Sequence, residues 1–403
     1  MPNATYNNYF ERLNKVLKNH HRALPCLIVD LDIVDKNTEV FKYNLKPSAN
    51  FRIVVKSLPS QNLIQYIMDK IGTSDLMVFH QPFLSDLTRS LNNKSDILLG
   101  KPMPVKTVKY YYSNLHDRKH NFNPYTQIQW LVDTQDRILQ YIKLAKELGK
   151  KLRLNFEIDI GLHRGGFQTL NELRRALELI KKHTKHVEFS GFMGYDPHIV
   201  KIPKILRSQG KGLRMSNKFY GNCKRLIEEK FPQFWNKNLT FNGSGSSTLS
   251  LHNTVSSPLN DIAAGSCFVK PITFDIATLS KYKPACFIAT PVLKKLKGTV
   301  IPGIERLKSI LHFINPRNAQ SFFIYGGYWK ADYVSPKGAS QNSLFGASTN
   351  QTMVNMPNTV NLNVDDFVFL RPQQSEFVFL QFGKLLIVRG DKIIDQWGLL
   401  KNH

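Results

Sequence analysis

The sequence predicts an α/β protein with a (β/α)8, TIM-like barrel followed by a C-terminal β-domain. Short apolar runs alternate with amphipathic segments over the first two thirds of the 403 residues, as in βα units built around a parallel sheet. We count eight such runs from residue 51 onward, the number of strands that closes this kind of barrel. After Cys267 the pattern changes to strand-like runs separated by Gly and Pro turns, which is typical of a β-domain.

The strands can be assigned in chain order. An early strand, PCLIVDLDI at 25–33, lies outside the count of eight, and we expect it to pair with the C-terminal sheet. The barrel strands are FRIVV at 51, LMVFH at 76, DILLG at 96, QIQWLVD at 127, LRLNFEID at 152, VEFSGFMGY at 187, LTFNGSG at 239 and DIAAGS at 261. Segments between them, such as QDRILQYIKLAKELGK, carry apolar residues three and four positions apart, as helices outside a barrel do.

We therefore expect two domains, a barrel over residues 1–265 and a β-domain over residues 266–403, with the early strand joining the β-domain. The boundary falls in a Gly-Ser turn rather than a long linker. The strand-like runs of the second domain are ACFIATPVL, SFFIYGGYW, DFVFL, EFVFLQF and KLLIVRG.

Composition narrows the class of protein. No apolar stretch approaches the roughly 18 residues of a membrane span, and the first residues lack a signal-peptide core. The four cysteines are widely spaced, which indicates neither a zinc site nor a disulfide framework. The net charge of +25 is spread along the chain, as in a solvated basic surface that attracts anionic substrates. We expect a cytoplasmic protein without a nucleic-acid or membrane partner.

One lysine stands at the mouth of the first apolar strand. The run FRIVVKSLPS brings Lys56 to the C-terminal end of that strand, where barrels carry their active sites. A neutral amine at this place can attack an aldehyde. Because most strand-end lysines simply extend to solvent, Lys56 alone is a weak signal.

The fifth and sixth strands lead into loops with further polar side chains. EIDIGLHRGGF carries Arg164, whose permanent charge suits donation to a phenolate or carboxylate. Asp159 and His163 in the same loop are explained at least as well by bracing it. GYDPH carries Tyr195, which can hydrogen-bond the edge of a cofactor, with His198 just beyond it.

The seventh strand ends in FNGSGSST, where Gly243, Ser244, Gly245 and Ser246 follow one another. Successive amides and hydroxyls can form an anion cradle, and barrels often bind phosphate after their late strands. A planar aromatic aldehyde with a phosphate needs a lysine, an arginine or tyrosine at its ring, and such a cradle. Pyridoxal 5'-phosphate fits that description.

These motifs resemble the alanine-racemase-like, fold type III pyridoxal-phosphate group, and within it the branch of D-threonine aldolases and eukaryotic-type D-serine dehydratases. The resemblance covers nearly the whole chain. LPCLIVDLDIVDKN is similar to the family's opening strand and helix, RIVVK to its Schiff-base lysine segment and EIDIGLHRGG to its Asp-x-Gly-x-x-Arg-x-Gly loop. GFMGYDPH, FNGSGSST and DIAAGSCF follow in the family's order.

The resemblance implies a role for each matching residue. Lys56 is the Schiff-base (aldimine) lysine and one proton carrier, Arg164 lies near the phenolic oxygen of the cofactor, and Tyr195 lies beside its ring. The phosphate loop corresponds to Gly243, Ser244, Gly245 and Ser246. The resemblance also implies a head-to-tail homodimer whose β-domain completes the site.

The chain departs from the family pattern in three places. Val54 replaces a histidine that the lyase branch carries two residues before its lysine, and DIAAGS lacks the arginine of alanine racemases. RPQQSEF puts Gln374 and Glu376 where the lyase branch carries its divalent-metal pair. These two could hold Mg²⁺ or Mn²⁺ but make a poor zinc site. We expect a metal-free site, with Glu376 either an acid or base or only a charge at a strand end.

The leading functional hypothesis is a lyase that acts on β-hydroxy D-amino acids, of the D-threonine aldolase or D-serine dehydratase type. The alternative is an amino-acid racemase of the alanine type. A second alternative is a non-catalytic pyridoxal-phosphate carrier, which the long segment after Cys267 disfavours. The second acid or base stays open among four β-domain residues: Tyr325, Tyr328, Tyr333 and Glu376.

Overall fold

A computed structural model describes residues 5–19, 22–115, 121–203, 205–206, 208–254, 257–307, 313 and 316–401 of the chain. The chain forms two compact units. We call residues 38–267, 276–281 and 400–403 the barrel unit, and residues 1–37, 268–275 and 282–399 the β unit.

Two helices and one strand precede the barrel strands: α1 (Asn8–Lys18), β1 (Cys26–Asp30) and α2 (Leu31–Asn44). Helix α1 begins where the side chain of Asn7 accepts a hydrogen bond from the amide of Phe10 at 3.0 Å, which satisfies one of the free amides at a helix start. One face of α1 is buried through Phe10, Leu13 and Leu17.

Eight parallel strands close into a barrel, since the last strand also pairs with the first. They are β2 (Asn50–Val54), β3 (Asp75–Val78), β4 (Ile97–Leu99), β5 (Ile128–Val132), β6 (Leu152–Glu157), β7 (Val187–Gly194), β8 (Thr240–Gly243) and β9 (Asp261–Ala264). Each overlaps one of the eight predicted runs. The predicted TIM-like barrel is confirmed.

Helices connect these strands: α3 (Gln61–Ile71), α4 (Gln81–Leu87), α5 (Val105–Ser113), α6 (Gln135–Leu148), α7 (Leu170–Lys182), α8 (His198–Lys201), α9 (Gln209–Lys230) and α10 (Leu249–Thr254), followed by α11 (Ser266–Val269). Short 3-10 turns cover Val55–Ser57, Pro232–Phe234, Ile272–Phe274, Ala277–Leu279, Glu305–Leu307 and Pro316–Ala319. Helix α7 begins with a reciprocal capping box between Thr169 and Glu172, which explains its sharp start.

The barrel interior carries a polar network near the amino ends of its strands. Arg52, only 2% exposed, donates to Asp261, and Gln129 donates to the hydroxyl of Thr240 at 2.8 Å. Asn155 donates to Gln129 at 3.0 Å. Such barrels usually fill their interior with branched aliphatic side chains, so hydrogen bonds and charge pairs replace part of the apolar packing here.

The β unit contains a nine-stranded sheet. Strand β1 lies between two others, antiparallel to β10 (Cys286–Leu296) and parallel to β16 (Lys384–Arg389). The other strands are β11 (Ser321–Tyr325), β12 (Ala331–Ser335), β13 (Ser340–Gln341), β14 (Gln351–Asn355), β15 (Phe367–Pro372) and β17 (Lys392–Gly398). The predicted C-terminal β-domain is confirmed. Among the described strands of this sheet, neighbouring strands are antiparallel except for the parallel pair β1–β16.

The run EFVFLQF was expected to be a strand, and this prediction was wrong. Residues Ser375–Phe379 form a short helix, α12. Ser375, Val378 and Phe379 are buried while Phe377 is 59% exposed. Burial three and four positions apart follows a helical period, whereas the alternation of a strand would put Phe377 and Phe379 on one face.

The helices that the structure describes include none with an apolar stretch of the length that a membrane span requires.

Candidate active site

The predicted site residues of the barrel lie at or after the ends of its parallel strands, and therefore toward its carboxyl end. Lys56 lies in the turn Val55–Ser57, two residues after β2 ends rather than at its last position. Its side chain is partly buried, and Nζ lies 4.5 Å from the centroid of the Phe79 ring. Phe79 in turn packs directly on Gly100. The amine is therefore held against an aromatic face at the barrel mouth.

Asp159 braces the loop that carries Arg164. Its Oδ1 accepts hydrogen bonds from the amides of Gly161 and His163, both at 2.9 Å, and its Oδ2 lies 3.0 Å from Nδ1 of His163. Burial raises the pKa of Asp159, but these hydrogen bonds outweigh burial and lower it overall. Asp159 and His163 thus fix the loop conformation, and His163 adopts a φ of 56° within it.

Three loops meet around the ring of Tyr195. The guanidinium carbon of Arg164, after β6, lies 5.3 Å from the centroid of the Tyr195 ring, a distance at which a cation and an aromatic face attract. On the loop after β8, a Cβ added to Gly245 would lie 2.8 Å from a carbon of that ring. The structure therefore brings Arg164, Tyr195 and Gly245 together, and the close approach requires glycine at 245.

The loop after β8 is a compact turn of buried residues. Ser244 and Ser246 are 3% and 7% exposed, and Ser244 has a φ of 66°. The Ser246 hydroxyl accepts hydrogen bonds from the amides of Gly265 and Cys267 at 3.2 and 3.1 Å. These bonds tie the Gly243–Ser246 loop to the loop after β9.

A second tie reaches the lysine turn. The hydroxyl of Ser266 donates to that of Ser57, the neighbour of Lys56, at 3.0 Å. Gly265 packs against the carbonyl of Val54, where a Cβ would lie 2.7 Å from the oxygen. The loops after β2, β8 and β9 are consequently joined through Ser57, Ser266 and Ser246, although no motif in the sequence pointed to Ser57 or Ser266.

Glu157 is a titratable residue at this end of the barrel that was not predicted from the sequence. It is the last residue of β6. Burial raises its pKa to about 7, with a further rise from the carboxylate of Asp133 and an opposing effect of Arg164. A carboxyl with such a pKa can both hold and release a proton near neutral pH. Its position at the end of a strand was the available signal, but only residues of the loop that follows were assigned to the site.

The remaining candidates lie in the β unit. Gln374 is exposed directly before α12, and Glu376 is partly buried in the first turn of that helix. Tyr325 and Tyr328 are exposed, and burial raises the pKa of Tyr333 to about 12. Among the residues that the structure describes, no group of three His, Cys, Asp or Glu side chains is arranged to hold a metal ion.

Part of the chain is similar to a known protein family. Residues 29–214 match the family model described as alanine racemase, N-terminal domain. This finding and the structural likenesses below confirm the resemblance to the alanine-racemase-like, fold type III group.

The alanine racemase-like chain shares its fold with several solved structures. A D-threonine aldolase from Filomicrobium marinum matches with a TM-score of 0.71 at 12% identity, over 94% of this chain and 98% of that one. A D-threo-3-hydroxyaspartate dehydratase from Delftia sp. HT23 matches with a TM-score of 0.69 at 12% identity, over 94% and 98%.

An alanine racemase from Clostridium difficile 630 matches with a TM-score of 0.68 at 15% identity, over 93% of this chain and 98% of that one. None of the curated protein sequences compared with the chain matches it. At these identities the likeness establishes the alanine racemase-like fold, and the reaction must be argued from this chain's own residues.

Proposed function

We propose that the protein is a pyridoxal-phosphate-dependent enzyme acting on small amino acids, with Lys56 as the residue that holds the cofactor. One observation carries the proposal. A lysine amine lies against an aromatic ring at the barrel mouth, and its turn is joined by hydroxyl contacts to a glycine- and serine-rich loop of the kind that binds anions.

The residues present fit pyridoxal 5'-phosphate in three respects. Lys56 would hold its aldehyde carbon, because a lysine amine and an aldehyde combine reversibly. The loop from Gly243 to Ser246 would hold its phosphate through amides and hydroxyls. Arg164, which lies over Tyr195, would donate to the phenolic oxygen while the tyrosine contacts the ring.

When bound, this cofactor withdraws electrons from the α-carbon of an attached amino acid, so that one of the bonds at that carbon can break. The protein determines which bond breaks and where protons go. In this proposal Lys56 would move a proton at the α-carbon. Glu157, whose pKa is raised to about 7 by burial, holds a proton below that pH and, when ionised, pairs electrostatically with Arg164.

Within this class we propose a lyase that acts on β-hydroxy D-amino acids, of the D-threonine aldolase or D-serine dehydratase type. The resemblance of the sequence motifs to this branch supports the proposal, and two of the solved structures that share the fold are lyases. We further propose a cytoplasmic homodimer. Because Gln374 and Glu376 stand where lyases of this branch carry a metal pair, we propose that the reaction proceeds without a bound metal.

An amino-acid racemase is the second candidate. The observation that favours it is the local structure of RPQQSEF, where β15 ends at Pro372 and α12 begins at Ser375. The exposed Gln374 between them is a weak metal ligand. A racemase needs no ion to engage a β-hydroxyl, so the loss of the usual metal pair weakens the lyase hypothesis without weakening the racemase one.

The test is the absorbance of purified protein between about 410 and 430 nm after addition of pyridoxal 5'-phosphate. We expect a band in the wild type and its loss in Lys56→Ala. Lys101→Ala is the matched control, because Lys101 also lies two residues after a barrel strand, β4, and is exposed. Absence of the band from the wild type at saturating cofactor would overturn the proposal.

A panel of D- and L-amino acids then assigns the reaction. A keto acid with ammonia indicates elimination, glycine with an aldehyde indicates aldol cleavage, and inversion alone indicates a racemase. Activity that survives dialysis against a chelator is expected from a site without metal, and its loss with restoration by Mg²⁺ or Mn²⁺ would contradict the metal-free proposal.

A further inference from the structure

A buried carboxylate lies beside the loop that we propose for phosphate. Asp196 follows Tyr195 in the chain and is fully buried, as is Thr248. Its Oδ1 accepts a hydrogen bond from the Thr248 hydroxyl at 2.6 Å, and its Oδ2 accepts one from Nε2 of His252 at 2.7 Å. Each carboxylate oxygen therefore has its own donor, which a buried charge requires.

The orientation of His252 is set from its other side. Its Nδ1 lies 2.8 Å from the hydroxyl oxygen of Ser257, and that oxygen accepts the amide of Leu259 at 3.3 Å. The Ser257 hydroxyl thus holds the ring at Nδ1, while Nε2 faces the carboxylate of Asp196, which can only accept its proton. The imidazole is 3% exposed and fixed at both nitrogens.

The polar contacts of Asp196 continue into the Gly243–Ser246 loop through Thr248. A carboxylate can only accept, so the Thr248 hydroxyl must give its proton to Asp196. The Thr248 oxygen lies 3.2 Å from the hydroxyl of Ser244, which also donates to the carbonyl of Gly245 at 3.2 Å. Polar contacts thus run without a break from Ser257 through His252 and Asp196 to Thr248 and Ser244.

Ser244, at the end of this network, adopts a conformation that a serine avoids on its own. Its φ of 66° lies in the left-handed region, which costs about 1–3 kcal/mol for a residue with a Cβ and persists only when the surroundings impose it. The network reaches this residue rather than ending in the apolar core. Buried polar side chains that serve packing alone have no reason to meet at a strained turn.

We propose that Asp196 and His252 are positioning residues that act through Thr248 to hold Ser244 in the conformation in which the Gly243–Ser246 loop binds a phosphate monoester. The inference rests on the proposed function, since the monoester in question is that of the cofactor. It adds a specific claim: the loop's preference for the phosphorylated ligand depends on a carboxylate and an imidazole that do not touch the ligand.

The test compares two ligands, pyridoxal 5'-phosphate and pyridoxal, which lacks the phosphate. We expect Thr248→Val to lower affinity for the phosphorylated ligand about tenfold, the usual scale for one lost buried hydrogen bond, with little change for pyridoxal. Asp196→Asn and His252→Gln should reduce the same ratio of affinities. Thr248→Ser keeps the hydroxyl and should keep the ratio.

Thr290→Val is the matched control. Thr290 is fully buried in β10 and donates to the carbonyl of Tyr325 at 2.6 Å, so this variant also loses a buried hydroxyl but lies in the β unit. A ratio unchanged in Thr290→Val separates loop positioning from a general loss of stability, which the melting temperature of each variant records.

A rescue variant sharpens the test. In the Thr248→Val background, Ser244→Gly should restore part of the ratio, because glycine adopts a positive φ without support. If folded Thr248→Val, Asp196→Asn and His252→Gln all keep the wild-type ratio, the inference is overturned and the proposed function stands. If the wild type binds pyridoxal 5'-phosphate no better than pyridoxal, both fall together.

Discussion

The guanidinium of Arg52 pairs with the carboxylate of Asp261 inside the barrel, its Nε lying 2.9 Å from both carboxylate oxygens. Both side chains are almost completely buried. Arg52→Met would leave the buried carboxylates of Asp261 and Asp96 without the cation that contacts both, and we expect a loss of about 3–5 kcal/mol in the free energy of unfolding. Urea denaturation followed by circular dichroism measures it.

The exposed pair between Lys15 and Glu11, at 3.0 Å on α1, serves as the control for that variant. Glu11→Gln should change the free energy of unfolding by less than about 1 kcal/mol, because water and salt screen surface pairs. Equal small effects of Arg52→Met and Glu11→Gln would contradict the importance of the buried pair.

Asp75 lies in the same network, but its ionisation lowers the stability of the folded protein. Ionisation of a carboxylate in a stabilising ion pair has the opposite effect. Burial raises its pKa to about 6, with Arg52 opposing and the carboxylates of Asp96 and Asp261 adding to the rise. The folded protein therefore retains this proton longer than the unfolded chain does. The contribution of Asp75 to stability falls as pH rises from about 4 to 6. Asp75→Asn should be more stable than the wild type at pH 7, by up to about 2–3 kcal/mol, and should lose this advantage below pH 4.

Glu157→Gln should separate stability from function at the barrel mouth. The raised pKa of Glu157, about 7 through burial, means that its ionisation disfavours the folded state between about pH 4.5 and 7. The variant should be more stable than the wild type at pH 8 and equal to it near pH 4. Its activity at pH 8 should fall, since the amide cannot exchange a proton. A stable variant with full activity would remove Glu157 from the chemistry.

Gly245→Ala should disturb the contact with Tyr195. An added Cβ would approach the ring to 2.8 Å, so the ring or the loop must shift, and we expect at least about a tenfold weaker binding of pyridoxal 5'-phosphate. Gly221→Ala is the control, because Gly221 lies in α9 with nothing within 4 Å of its Cβ position. That change should leave binding intact and raise stability by about 0.5–1 kcal/mol. Binding titrations with both variants provide the comparison.

The barrel could be predicted from the sequence because each strand is a short apolar run followed by a helix with buried positions at helical spacing. LRLNFEID and β6 illustrate the agreement. EFVFLQF failed for the opposite reason: its apolar residues suit either period, and burial in the folded chain decided in favour of α12. A short apolar run does not by itself distinguish a helix from a strand.

The site was predicted in part. Arg164, Tyr195 and Gly245 follow successive strands of one barrel, so their proximity could be inferred from strand order. The pairing of Asp196 with His252 could not, because the two residues are 56 positions apart and neither lies in a motif that requires the other. Contacts of that kind depend on how loops pack, which local sequence does not specify.

The position of β1 constrains how this chain can fold as it is made. The barrel uses a continuous stretch from β2 to β9, so its strands can pair in the order of synthesis. The β unit cannot, because β1 lies between β10 and β16. Strand β1 has both of its edges unpaired until those two strands have been synthesised. A fragment that begins after the barrel would lack β1, an interior strand of its sheet. Dividing the gene at that boundary would therefore separate β1 from the two strands to which it is hydrogen-bonded.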